Sequence, residues 1–299
     1  MRRRRLLIFL LAGAGAAVVV FLAWPRQREP EYHGRTLSEW AFLVTGPYPY
    51  HDGAFPKKPA AEEAIRHIGT NALPWLLTWI QYDHPEREPP AWMQRLCALA
   101  NKLLPGLGLR DRARDHFAAA RWCFRVLGPR ASPAIPELVR LMNDPQSPFV
   151  PGMAAYALAD IGKDALPPLL AVLNNEQAPN RAAAAFALGS MPDLGTNAYD
   201  AVPALLRCLD DPDAYVAAGS ASALGNLALE PRLVVPALVK KLHHSNAFVR
   251  SYAVLSISRF GDQGRAAAPE LRKALDDPDP SVRYAAANAL RQIAPEALP

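Results

Sequence analysis

An all-α solenoid of stacked helix pairs is the fold class this sequence predicts, and three observations lead there. The first is residues 265 to 294, RAAAPELRKALDDPDPSVRYAAANALRQIA, which read as two short helices joined by a turn. Pro269 stands at a helix start, where first-turn amides have no intrahelical partner and proline loses nothing. Leu271 and Leu275 recur at i, i+4, and the run Asp276 to Pro280 then cannot continue the helix, since Pro278 and Pro280 lack amide donors. Ser281 is the expected N-cap of a second helix whose apolar face is Val282, Ala286, Ala289, Leu290 and Ile293.

The second observation is recurrence. Prolines expected to open first helices fall at Pro136, Pro167, Pro203, Pro236 and Pro269, at intervals of 31, 36, 33 and 33. Glycines expected to end second helices fall between them, at Gly128, Gly162, Gly189, Gly225 and Gly261. A period of about 33 residues is the signature of a helical solenoid, because one helix pair cannot bury its apolar face alone. Composition is the third: 51% of residues are apolar but only 8% aromatic, so small and aliphatic side chains fill the interior. The 30 prolines, about twice the usual share, cluster at helix starts and turns instead of marking disorder.

Ala201-Val202-Pro203-Ala204-Leu205-Leu206, then Asp211-Pro212, then Ala221-Ser222-Ala223-Leu224-Gly225 resembles the HEAT repeat in its bacterial form. The likeness covers roughly residues 60 to 299, and it implies a right-handed solenoid of six or seven pairs serving as a binding scaffold. Some relatives of that family resemble metal hydroxylases with His-Glu ligand pairs. None of the seven histidines here is followed by Glu, so that chemistry does not carry over.

In chain order, residues 1 to 5 form a basic tail and residues 6 to 24, LLIFLLAGAGAAVVVFLAW, carry no charge. Nineteen helical residues span about 28 Å, close to the hydrocarbon thickness of a bilayer. A cleaved signal peptide is the alternative, but Ala12-Gly13-Ala14 arrives after only six apolar residues and Phe21 stands badly for cleavage after Ala23, so a retained anchor is expected. Arg2 to Arg5 outweigh Arg26 and Arg28, which places the N-terminus in the cytoplasm and the solenoid outside it, in the periplasm of a two-membrane cell. Residues 25 to 59 are a tether with one capping helix, opened by the capping box Thr36-Leu37-Ser38-Glu39. Residues 60 to 299 are the solenoid, interrupted by an irregular insertion at 81 to 115. Residues 294 to 299 hold no further first helix, so the last pair is expected to dimerise or dock a partner.

Charge and motifs exclude several functions. With the four arginines of residues 1 to 25 set aside, 29 basic residues face 28 acidic ones, so no basic stripe for nucleic acid is expected. Cys97, Cys123 and Cys208 are far apart in apolar contexts and read as core thiols; no CxxC pair offers a zinc site. The Asp210-Asp211-Pro212-Asp213 and Asp276-Asp277-Pro278-Asp279 turns lack the glycine and distal glutamate of a calcium loop. Neither metal nor cofactor is expected, and no catalytic constellation emerges.

Two sets of candidate residues remain. Arg283 follows Asp277 by six residues and Arg181 follows Asn175 by six; such a turn residue and arginine resemble the ladder that joins neighbouring HEAT repeats. On a helical wheel the second-helix position opposite the buried stripe is Asn288, and its counterparts are Leu255, Ser222, Phe186, Tyr156 and Trp122. Trp122, Tyr156, Phe186 and Leu255 are therefore expected to line an apolar groove on the concave wall that takes a protein or peptide partner. An enzyme or ligand carrier using the same wall, and a structural cell-envelope element, are the rival readings.

Overall fold

The computed structural model describes residues 28–45, 58–81, 113–192 and 197–297. The proposed anchor, Cys97 and most of the insertion lie outside them. Among the described residues no helix is long and apolar enough to cross a membrane.

A two-stranded hairpin, β1 (Glu31–Tyr32) with β2 (Arg35–Thr36), turns at His33 and Gly34, both with positive φ. It leads into α1 (Leu37–Thr45), where the capping box forms: Glu39 Oε2 accepts from the Thr36 amide at 2.8 Å and Thr36 Oγ1 from the Glu39 amide at 3.3 Å. Then come α2 (Lys58–Ile68) and α3 (Leu73–Ile80), and after the insertion α4 (Ala113–Leu127). Five further pairs follow: α5 (Ile135–Met142) with α6 (Val150–Ile161), α7 (Leu166–Asn174) with α8 (Arg181–Ser190), and α9 (Ala198–Cys208) with α10 (Ala214–Leu227). The last two are α11 (Pro231–Lys241) with α12 (Ala247–Ser258), and α13 (Ala268–Lys273) with α14 (Pro280–Ile293).

Helix α1 packs on α2 and α4. It buries Leu37 and Trp40, and Trp40 Nε1 donates to the Tyr32 carbonyl at 2.9 Å. Phe42 stacks on Trp79 and meets His116 edge to face, so α1 covers the apolar end of the first repeat as an end cap must. Arg130 Nη1 reaches the Arg66 carbonyl at 2.9 Å, so the chain returns beside α2 after the insertion and stacking is unbroken.

Second helices α8, α10, α12 and α14 pack on one another along their lengths, whereas successive first helices meet at only a few points. The layer with the closer spacing is the inner wall of a curved stack, so the second helices line the concave side. Polar ties about one repeat apart join the outer edge: Ser132 to Asp164, Arg207 to Asn174, Lys241 to Asp210 and Arg265 to Glu296.

Three expectations about landmarks need correction. The N-cap of α14 is Asp279, whose Oδ1 accepts from the Ser281 amide at 2.8 Å. Pro203 and Pro236 lie inside α9 and α11 and do not open them, because a turn that is 3₁₀ elsewhere (Gly128–Ala134, Gly261–Ala267) joins the α-helix in these two repeats. Gly69, Gly128, Gly162 and Gly261 do hold positive φ, but Gly189 and Gly225 are helical and serve close approach.

The steadier ruler is the start of each second helix. Ser147, Asn180, Asp213, Asn246 and Asp279 stand 33 residues apart without exception. Asp213, Asn246 and Asp279 each accept from an amide two residues on, and Ser147 Oγ accepts from the Val150 amide. What varies is the link from each second helix to the next first helix and the first helix itself.

Candidate site on the inner wall

Measured from those helix starts, Phe186 shares a column with Gly219 and Tyr252, while Leu255 shares one with Tyr156, Gly189, Ser222 and Asn288. The four expected groove residues therefore do not form one row. Trp122 is half-buried and packs on the core. Tyr156, also half-buried, lies beneath the Arg121 guanidinium, 4.6 Å from its ring centroid. Leu255 is 38% exposed.

Phe186 meets a ring the sequence reading missed. Gly219, between them on α10, has no side chain, and a Cβ there would lie 3.1 Å from Phe186 Cδ2. Across that gap Phe186 and Tyr252 make an edge-to-face pair at 5.5 Å, spanning from α8 to α12. Phe248 packs on Tyr252 at 4.7 Å and Tyr215 on Phe248 at 5.4 Å. The result is a continuous aromatic strip, Phe186, Tyr252, Phe248 and Tyr215, over three second helices. Tyr215 is 64% exposed and Phe248 38%, so the strip opens to solvent at its α10 and α12 end. The signal was available: Tyr215 and Phe248 are 33 residues apart and each stands two residues after its helix-start Asx.

The ladder is built differently from the sequence expectation. Asn175 does not bond Arg181; its Oδ1 accepts from the Gln177 amide. Arg181 donates to the Leu173 carbonyl and pairs forward with Asp211 of the next repeat at 2.6 Å. Likewise Asp277 does not pair with Arg283 through its carboxylate. Arg250 reaches forward to it, Nε to Oδ2 and Nη2 to Oδ1 at 2.8 Å each, while Arg250 Nη1 holds the His244 and Ser245 carbonyls. Arg250 thus spends one nitrogen on its own turn and its remaining donors on the next turn's aspartate, while Arg181 makes the forward pair through Nη1 and turns Nη2 to Cys208 Sγ. Ala217 and His244 occupy the two positions between these rungs, so that rung is missing.

The Arg250 hydrogen bonds hold the Asp277 carboxyl below its usual range. Because the folded value is the depressed one, the pair's contribution is complete above the unfolded-state value of about 3.9 and disappears as pH falls through the folded value. Wild type is accordingly expected to melt higher than Asp277→Asn at neutral pH, with the gap closing progressively below about pH 4 in thermal melts across a pH series. A gap that stays constant to low pH would remove the ion pair as its cause.

A second charged cluster escaped the sequence reading. Asp160 on α6 is 2% exposed and accepts from Arg121 Nε at 2.9 Å and from Arg125 Nε and Nη2 at 2.9 and 2.6 Å. Cys123 and Cys208 are buried, and burial pushes both thiols up, which keeps them protonated and inert. Among the described residues no three His, Cys, Asp or Glu side chains come together to hold a metal ion.

Comparison with known proteins agrees with this architecture. The family model for HEAT repeats matches residues 107–189, 166–235 and 235–299. Similar solved structures include two engineered proteins, one 22% identical with a TM-score of 0.41, covering 87% of this chain and 75% of that one. The other is 21% identical with a TM-score of 0.40, covering 86% and 96%. A third is the karyopherin Kap121p bound to the extreme C-terminus of the protein phosphatase Cdc14p, at 14% identity and a TM-score of 0.49, covering 81% of this chain and 30% of that one. No curated protein sequence matches. With family matches running from residue 107 to residue 299, the chain belongs to the HEAT-repeat family.

Proposed function

We propose that this chain is an interaction scaffold that binds a protein or peptide on its inner wall, tethered to a membrane by residues 6–24 with the solenoid outside the cytoplasm. The observation that carries the binding reading is the aromatic strip. Large rings are seldom left on a wall of Ala, Ser and Gly without use, and here Tyr215, Phe248 and Leu255 are exposed together above α10 and α12. Rings over small residues offer an extended peptide or an amphipathic helix both contact area and shallow slots. The tether rests on the uncharged nineteen residues and on the arginines before them.

The test uses the full chain in its own membranes. A variant carrying Tyr215→Ser, Phe248→Ser and Leu255→Ser is expected to lose its crosslinked partner while still unfolding in one cooperative transition, its melting temperature lowered by about 4–8 °C through the loss of the Tyr215–Phe248 and Phe248–Tyr252 contacts. Retention of the partner by that variant would sink the inner-wall reading. The tether is tested separately: the protein should stay in the membrane pellet after an alkaline wash, and a soluble chain beginning near Val18 or Trp24 would show cleavage instead.

A further inference from the structure

Arg283 repeats the geometry of Arg250 with one half of it unused. Both stand four residues after a helix-start Asx, and both give Nη1 to the two carbonyls six and five residues back: His244 and Ser245 for Arg250, Asp277 and Pro278 at 2.7 and 2.9 Å for Arg283. In Arg250 that grip aims Nε and Nη2 at an aspartate, which they hold bidentately. In Arg283 the same two donors have no acceptor among the described residues. Two carbonyl bonds fix the guanidinium plane in advance, so a carboxylate arriving there meets an oriented fork rather than a mobile side chain.

The surroundings favour a carboxylate from outside the repeat stack. Gly189 and Gly225, nine and twelve residues after their helix starts, are where the next second helix comes within touching distance. The same two positions on α14 are Asn288 and Arg291, which bond each other at 2.6 Å. Glu296, just past α14, is engaged by Arg265. Helices α8, α10, α12 and α14 contain no Asp or Glu, and residues 231–299 hold ten basic residues against six acidic ones. Tyr284, 72% exposed, stands next to the fork.

We propose that Arg283 is a docking point for an acidic segment of a partner protein, which supplies an aspartate side chain in the way that Asp277 serves Arg250 and Asp211 serves Arg181. The turns that fill those two rungs are Asp211-Pro212-Asp213 and Asp277-Pro278-Asp279, so the segment that fits is an acidic turn of that kind. This inference does not rest on the aromatic strip.

The probe is the blocked hexapeptide Leu-Asp-Asp-Pro-Asp-Pro, whose capped termini remove the terminal carboxylate, titrated into the full chain in detergent micelles. Saturable binding is expected, about tenfold weaker when the second Asp of the peptide is replaced by Asn or when the protein carries Arg283→Gln. Arg283→Lys, which keeps the charge but loses the fork, should also weaken it several-fold and serves if the Gln variant folds poorly. Arg291→Gln should bind nearly as wild type does. Absence of saturable binding in wild type, or equal affinity for the wild-type chain and both Arg283 variants, overturns the proposal. So does self-association of wild type in sedimentation that Arg283→Gln abolishes, which would assign the fork to a second copy.

Discussion

Replacing Gly225 by alanine is expected to destabilise the solenoid by about 2–3 kcal/mol, although the same change in an open helix interior gains about 1 kcal/mol. Gly225 sits near the end of α10, and a Cβ there would lie 2.5 Å from Ser256 Cβ and 2.6 Å from Ser256 Cα on α12. A flexible side chain would turn aside, but a neighbouring backbone cannot. The two helices must separate, and every contact along the α10–α12 seam loosens with them. Gly152 on α6 supplies the matched control, since a Cβ there meets nothing within 4 Å. Gly152→Ala is expected to gain up to about 1 kcal/mol through helix propensity alone. Urea unfolding of both variants separates the two effects, and a Gly225→Ala chain as stable as wild type would show that the seam slides freely.

The same glycine explains where sequence reading succeeded and where it slipped. Helix pairs, the 33-residue period, the capping box at Thr36 and the covering role of Trp40 were legible because each depends on residues close together in sequence. Glycine is ambiguous in sequence, since Gly162 ends a helix at φ +93 while Gly189 and Gly225 admit a neighbouring helix, and nothing local distinguishes the two uses. Counting repeats by glycine therefore shifted Phe186 by three residues, into the column of Ser222 rather than that of Gly219. Three residues is nearly one helical turn, so the wheel still placed Phe186 on the correct face while hiding its partner Tyr252. The ladder slipped for a related reason. An arginine and an aspartate six residues apart look like a pair, but the bond runs 27 residues forward from Arg250 to Asp277, one repeat on.

Asp160 was legible and was missed: it is the one acidic residue of α6, VPGMAAYALADI, and Arg121 and Arg125 stand one helical turn apart about a repeat earlier. Its arrangement makes an asymmetric prediction. Removing both arginines, Arg121→Gln with Arg125→Gln, leaves a buried carboxylate without its cations and is expected to cost about 3–5 kcal/mol. Removing the acid alone, Asp160→Asn, leaves arginines whose side chains are 28% and 58% exposed and can turn to water, so about 1–2 kcal/mol is expected. The cluster is a unit, and its members cannot add. Introducing Asp160→Asn into the double arginine variant should therefore raise stability by about 2 kcal/mol, because it takes away the charge that had become the problem. Part of the loss will persist, since Arg121 also covers the Tyr156 ring and that contact is not restored by neutralising Asp160. Thermal or urea unfolding of the two single sets and the triple variant decides it. A triple variant no more stable than the double would mean that the arginines act through packing on α6, and that Asp160 is a passive resident of the interface.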